Sequence, residues 1–306
     1  MLPKLDTYLG WKVDFANPPG AAAFCEPSSV SWRVLKNPIA LSIGGVAAVL
    51  MEFADARIRT GVWEHSSFKQ DPIGRSHRTG MAAMIGVYAP QAAARRVIQG
   101  VTHMHARVQG QTPDGESYSA LDAELLDWVS ATAAWSFLTA YDRFVAPLSD
   151  EHRRRYYAEG APVARLYGVE TPLASDADFE RMKQHLLPRF EPHPIITEFL
   201  SILQSAPGAL HLPRSLGRVL GQASVSILPG EVRERLQLGA ACNLSKPAAF
   251  ALRRLGALTE RVPIPQAPPA QACRRLGLPA DFLYRSPSGQ ARALARWASP
   301  MIAPAS

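Results

Sequence analysis

The chain has 306 residues, 47% of them hydrophobic and 19% charged, with a mean hydropathy of -0.06. That composition excludes disorder for the chain as a whole and leaves length enough for one large core or two modest ones. The formal net charge is +7, and residues 201–306 carry 13 basic against 4 acidic side chains, a local +9 that leaves the first 200 residues at -2. This basic third has no recognition-helix pattern, no zinc-finger spacing and no aromatics set among the cations. It reads as a solvated Arg-rich face, and no nucleic-acid partner is expected.

In chain order, the start MLPKLDTYLGWKVDF lacks an apolar core and a small-residue cleavage site, so no secretory signal is predicted. The longest apolar stretch, Ile39 to Met51, is interrupted by Gly44 and Gly45 and followed by Glu52. It falls short of the about 20 residues needed to span a bilayer, so no transmembrane segment is predicted. Ile39 to Ala54 is predicted as a mostly buried helix and Ala56 to Ser66 as a second. Asp71-Pro72 supplies an N-cap and a first-turn proline for a helix reaching about Tyr88. Pro90 opens the next, to about Val108, before the turn-rich GQTPDG at Gly110 to Gly115. Asp122 starts a long helix to about Val145 with apolar residues on nearly every side, as in a helix enclosed by others. Ser149 starts another that reaches Tyr167, with Gly168 as its stop, and Asp176 to Leu187 and Pro194 to Gln204 follow.

Strand signals are nearly absent, and no repeat of domain-building length occurs. After Ser205 the elements shorten, and Pro263 to Pro269 (PIPQAPP) reads as a stiff linker or surface strap. The end, Ser299 to Ser306, is expected to fray. Three scattered cysteines (Cys25, Cys242, Cys273) form no disulfide framework and no zinc spacing, which points to a reducing cytoplasm. The fold class is therefore all-α, one domain over residues 1–306, with a core at 30–205 and a looser, basic, proline-containing extension at 206–306.

The common catalytic motifs are missing: no phosphate-binding loop, dinucleotide fingerprint, nucleophile elbow or H-E-x-x-H helix is present. Two polar clusters remain. In RSHRT, Arg75 to Thr79, the apolar stripe traced back from Tyr88 leads to Arg78 and one turn further to Arg75. Both guanidinium groups then project toward the core side and require anionic partners. Acidic residues of neighbouring helices or a bound anion would serve equally. In HMH, His103 to His105, the two rings sit about 200° apart on a helix and cannot grip one ion. Val97, Val101, Met104, His105 and Val108 share the apolar stripe, so His103 is expected to be solvated and His105 buried. His105 is then either a hydrogen-bonded core residue or a single axial ligand to haem iron.

Beyond these clusters, the chain resembles the family that joins the mycophenolic-acid pathway oxygenase (MpaB type) with the latex-clearing rubber oxygenases. The resemblance rests on five motifs in order over roughly residues 30 to 200: GVWEHSSFKQDPIGRSHRT at Gly61 to Thr79, HARVQG at His105 to Gly110, DGESYSALDAELLDWV at Asp114 to Val129, RFVAPLSDEHRRRYYAEG at Arg143 to Gly160 and LYGVETP at Leu166 to Pro172. It implies a globin-related helical core holding haem b, with dioxygen as co-substrate and attack on carbon–carbon double bonds of isoprenoid substrates. By position it implies His105 as the axial iron ligand and Arg75, Arg78 and Thr79 as the segment beside the haem, the arginines near its propionates. Rubber oxygenases carry Lys where this chain has Arg78. A guanidinium stays protonated and has no acceptor, so Arg78 is expected to donate hydrogen bonds and not to ligate iron. Many relatives also read W-V-H-A where this chain has Trp128-Val129-Ser130-Ala131. Glu64 is a candidate base or an exposed helix carboxylate.

The resulting expectation is a cytoplasmic haem b-dependent oxygenase with a hydrophobic, unsaturated small-molecule substrate and an electron donor as partner. The alternative is a non-catalytic carrier of haem or of a hydrophobic ligand.

Overall fold

Short polar caps set most helix starts in this chain. Ser29 opens α1 (Val30–Leu35), Asn37 opens α2 (Pro38–Glu52) and Asp55 opens α3 (Ala56–His65), each side chain accepting from a first-turn backbone N–H. The computed structural model describes residues 7–8, 11–67, 71–205 and 214–298. Within them the remaining helices are α4 (Pro72–Tyr88), α5 (Gln91–His105), α6 (Ala123–Phe144), α7 (Asp150–Leu166), α8 (Asp176–Leu186) and α9 (Pro194–Ser205). They continue with α10 (Arg214–Ile227), α11 (Gly230–Arg235), α12 (Lys246–Thr259), α13 (Pro268–Arg275) and α14 (Pro287–Ala298). Strands are confined to two small antiparallel pairs, β1 (Thr7–Tyr8) with β2 (Trp11–Lys12) and β3 (Gln109–Gln111) with β4 (Ser117–Ser119). The fold is all-α, as expected.

At the centre, α2 lies along α6. Their backbones meet where Gly44 has no side chain: a Cβ there would stand 2.8 Å from the Phe137 Cα. Around this pair α10 and α12 pack on α2, α8 on α6, and α1 bridges α4 and α7. Trp32 of α1 donates its indole N–H to the carbonyls of Cys25 and Val87, while the Tyr88 hydroxyl donates to the Trp32 carbonyl at 2.7 Å. Trp128 of α6 stacks on Phe179 of α8, with ring centroids 5.8 Å apart.

Several expectations are corrected. α6 is not enclosed on every side, because Val129 is 36% exposed while Trp128 and Tyr141 are buried. α5 stops at His105, three residues short of the expected end, because the chain turns there to enter β3. The Asp114-Gly115 pair closes a β-hairpin whose three-residue strands were too short to show alternation, and Gly115 takes the φ of +85° that this turn requires. Residues 263–266 of the expected strap are exposed, but Pro268 and Pro269 are buried and form the first turn of α13. The C-terminal elements are shorter, as expected, and Val225, Val232, Leu252, Cys273 and Phe282 enter the same core as α2 and α6.

No single helix among the described residues is long and apolar enough to cross a membrane. α2 and α3 reach that length together but are bent by 111° at their junction. The expected fraying of Ser299 to Ser306 falls outside the described residues.

Candidate functional site

Three of the sequence motifs converge on one aromatic ring. His105 is the last residue of α5, and its carbonyl accepts from the Val108 N–H at 2.9 Å as the chain turns into the hairpin. Val108 in turn accepts from the Ala120 N–H at 2.9 Å, just beyond β4. In the hairpin Gly110 pairs with Tyr118, and the Tyr118 ring lies against α3 at Gly61. A Cβ on Gly61 would stand 3.2 Å from that ring, and one on Gly110 would stand 2.8 Å from its hydroxyl oxygen. The two glycines therefore leave the space that Tyr118 fills.

The phenol is buried and also hydrogen-bonded. Its hydroxyl donates to Glu64 Oε2 at 3.4 Å and lies 3.2 Å from His65 Nε2. Burial first, and then the Glu64 charge, push the Tyr118 phenol above its ordinary range, so it stays protonated. Glu64 and His65 are themselves exposed on α3.

The far end of the hairpin is held by charge. Glu116 pairs with Arg189 and approaches Arg57 at 4.0 Å. Buried Arg57 also meets Asp55 and Glu124, each at 2.7 Å. Partial burial works against the charge on Glu124, but the hydrogen bond and charge of Arg57 outweigh it and hold the carboxyl below its usual range. The segment that follows His105 is thus fixed at both ends, by an aromatic pin and by an ion-pair network.

The predicted site residues fall as follows. His105 is half-buried, and its neighbour Met104 is 42% exposed, so the expectation that both face the core is corrected. The stripe turns outward at the end of α5 because the helix ends there and the chain leaves the core that buries Val97 and Val101. His103 is exposed, as expected. Arg78 lies on α4 and is not directed into the core. It pairs with Asp71 at 3.4 Å and donates to the Ser67 hydroxyl, both from the segment leading into its own helix. Thr79 is half-buried beside it. Arg75 belongs to α4, but its side chain lies outside the described residues. Gly80 follows Thr79, and a Cβ there would meet nothing within 4 Å; Ala82, Ala83 and Met84 are only half-buried. Ala82, Ala83 and Met84 pack against the core from this stretch of α4. Ser130 is half-buried on α6.

Residues 32–261 match the family described as ER-bound oxygenase mpaB/B'/rubber oxygenase, catalytic domain. The chain belongs to that family. No curated protein and no solved structure matches the chain. Membership associates this mpaB/rubber oxygenase domain with oxygenase chemistry and a small-molecule substrate.

Most of the mpaB/rubber oxygenase motifs turn out to hold the fold. Glu159 accepts from the Val30 and Ser31 N–H groups at the start of α1. Asp127 accepts from the Glu170 and Thr171 N–H groups, tying α6 to the LYGVETP segment. Arg153 forms an ion pair with Asp176, which also accepts from the Tyr157 hydroxyl at 2.6 Å. Sequence reasoning missed Tyr118 and its two glycines. The available signal was their presence in three separate motifs that share no evident chemistry.

Proposed function

We propose that this chain is a haem b-dependent oxygenase that uses dioxygen on a hydrophobic, unsaturated, isoprenoid-like substrate, with a globin-related core as part of the same reading. The observation that carries it is the family match together with the segment after His105, which is tied down on both sides by Tyr118 and Glu116. The residues present fit haem. Among the described residues no group of three or more His, Cys, Asp or Glu can hold a metal ion unaided, whereas haem asks the protein for a single axial nitrogen. A half-buried imidazole can serve as that single ligand, and α4 carries apolar side chains at Ala82, Ala83 and Met84.

Bound haem would supply the activation of dioxygen that side chains lack. His105 would hold the iron through one ring nitrogen. The α3–hairpin packing would limit its movement, because displacing the His105 to Gly110 segment means pulling Tyr118 out from between two glycines. The Arg78 guanidinium has five N–H donors, more than Asp71 and Ser67 use, so it can donate to a propionate or to an oxygen atom of the substrate. Arg75 would share that role, and the Thr79 hydroxyl can donate one further hydrogen bond. Apolar residues of α4 would exclude water and favour a hydrophobic substrate. An electron donor is part of the proposal. Three free cysteines, two of them buried, support a cytoplasmic setting.

A non-catalytic carrier is the second reading, favoured by Ser130 in place of the relatives' histidine. The test is an absorption spectrum with a pyridine haemochrome assay after expression with haem supply. We expect near-stoichiometric haem b and a Soret band that His105→Ala weakens or shifts. A protein that cannot be reconstituted with haem would end the haem reading, and an unchanged spectrum in the variant would remove His105 as ligand. Haem binding without oxygen consumption across terpenoid substrates would favour the carrier.

A further inference from the structure

Outside the matched residues, at the C-terminal end of the described chain, lies a half-open cavity of about 460 Å³ between the turn before α14 and one face of that helix. Gly289, Arg292 and Arg296 of α14 line it at a spacing of three to four residues, so they share a face. Arg285, Ser286 and the 47% exposed Trp297 complete the walls. Among the described residues no carboxylate lines the cavity.

The charges are unevenly matched. Arg285 is neutralised by Asp281, which takes its guanidinium at 2.8 Å and 2.9 Å. Arg292 and Arg296 make no ion pair among the described residues. Two like charges four residues apart on one helix face repel each other, and an anion between them removes that penalty. Ser286 and Gly289 sit at the start of α14, where the helix dipole adds further positive potential. Gly289 also permits the turn to close, since a Cβ there would stand 3.2 Å from the Arg285 Cβ and 3.3 Å from the Ser286 hydroxyl.

We propose that this cavity is a binding site for a phosphoryl group carried on a small organic molecule. A phosphoryl dianion matches the two unpaired guanidinium groups in charge, and it has acceptor oxygens enough for forked donors from both. The volume falls within the range of small-molecule sites and exceeds what a lone phosphate fills. The organic part of the ligand packs on the exposed face of Trp297. The site stands apart from the proposed oxygenase chemistry and does not depend on it.

The same chemistry is available from a free phosphorylated compound and from a phospholipid headgroup, and the experiment separates them. The full chain is titrated calorimetrically at low salt with inorganic pyrophosphate and with ADP, and is co-sedimented with vesicles containing phosphatidic acid. The wild type is compared with an Arg292→Ala/Arg296→Ala double variant and with an Arg253→Ala/Arg254→Ala control on α12. All four positions are exposed, so thermal melting should show every protein folded. We expect saturable binding of pyrophosphate or ADP that weakens at least tenfold in the cavity variant and stays within twofold in the control. Binding confined to vesicles, with the same dependence on Arg292 and Arg296, assigns the site to a lipid headgroup. No saturable binding of any probe, or equal loss in both variants, overturns the proposal.

Discussion

Tyr118 illustrates the limit of reading residues one at a time. His105 and Arg78 could be picked out from their chemistry, because an imidazole and a guanidinium on helices have few inexpensive roles, whereas Thr79 entered only through the family resemblance. Tyr118 has no such signature; its role exists only because Gly61 and Gly110 leave room for it. Tyr118→Phe keeps the ring and loses the contacts with Glu64 and His65, so it should destabilise the protein by about 1 kcal/mol. Tyr118→Ala leaves a cavity between α3 and the hairpin and should cost about 3–5 kcal/mol. Urea unfolding of both variants checks this, and equal losses would show that the hydroxyl, not the ring, secures the hairpin. Where His105 is the haem ligand, the alanine variant alone should shift the haem spectrum.

Among elements, caps were the legible part and contacts were not. Asp122 and Ser149, read as helix starts from the sequence, accept from the first turn of the helices they precede, and Asn37, Asp55 and Ser175, which were not singled out, do the same. That α2 and α6 approach at Gly44 while Gly45 stays clear is not local, since both are equally plausible breaks in an apolar run. Gly44→Ala should cost about 1–3 kcal/mol by forcing the two backbones apart. Gly45→Ala, whose nearest neighbour would be Phe137 Cε1 at 3.8 Å, should be neutral or stabilise by up to about 1 kcal/mol. Chemical denaturation of the pair tests the packing directly. The junction of α7 and α8 carries an acid-sensitive contact. Burial alone would raise the Asp176 carboxyl, but hydrogen bonds from Arg153 and Tyr157 and the Arg153 charge hold it below its ordinary range. Its contribution is therefore complete above the unfolded value of about 3.9 and is lost as pH falls through the lower folded value. Urea midpoints measured below about pH 4 should fall less steeply for Asp176→Asn than for the wild type. Identical slopes would remove this contact from the acid response.

At the scale of the molecule, buried cations tie the C-terminal elements to the rest. Arg275 of α13, 2% exposed, donates to the carbonyls of Phe15, Ala21 and Tyr88 at 2.5, 2.7 and 2.8 Å. Burial lowers its pKa to about 10, which still leaves the group protonated at neutral pH. Lys36 meets Glu260 at 3.0 Å and donates to the Leu283 carbonyl at 2.7 Å, joining α1 to the chain after α12. Arg275→Met strands the buried carbonyls of Phe15 and Tyr88 and the part-buried carbonyl of Ala21, and should destabilise the protein by at least about 3 kcal/mol in urea unfolding. A loss below about 1 kcal/mol would mean that the C-terminal third is held by its apolar contacts alone. The all-α class and the helix starts at Asp122 and Ser149 were legible in the sequence, and His105 could be singled out there as a candidate, because periodicity, caps and residue chemistry act within a few neighbours along the chain. The exposure of Met104, the pairing of Arg78 with Asp71 and Ser67, the pinning of Tyr118 and the burial of Arg275 were decided only by the tertiary structure. They depend on which helix faces meet, and that follows from packing the whole core at once, which no local period encodes.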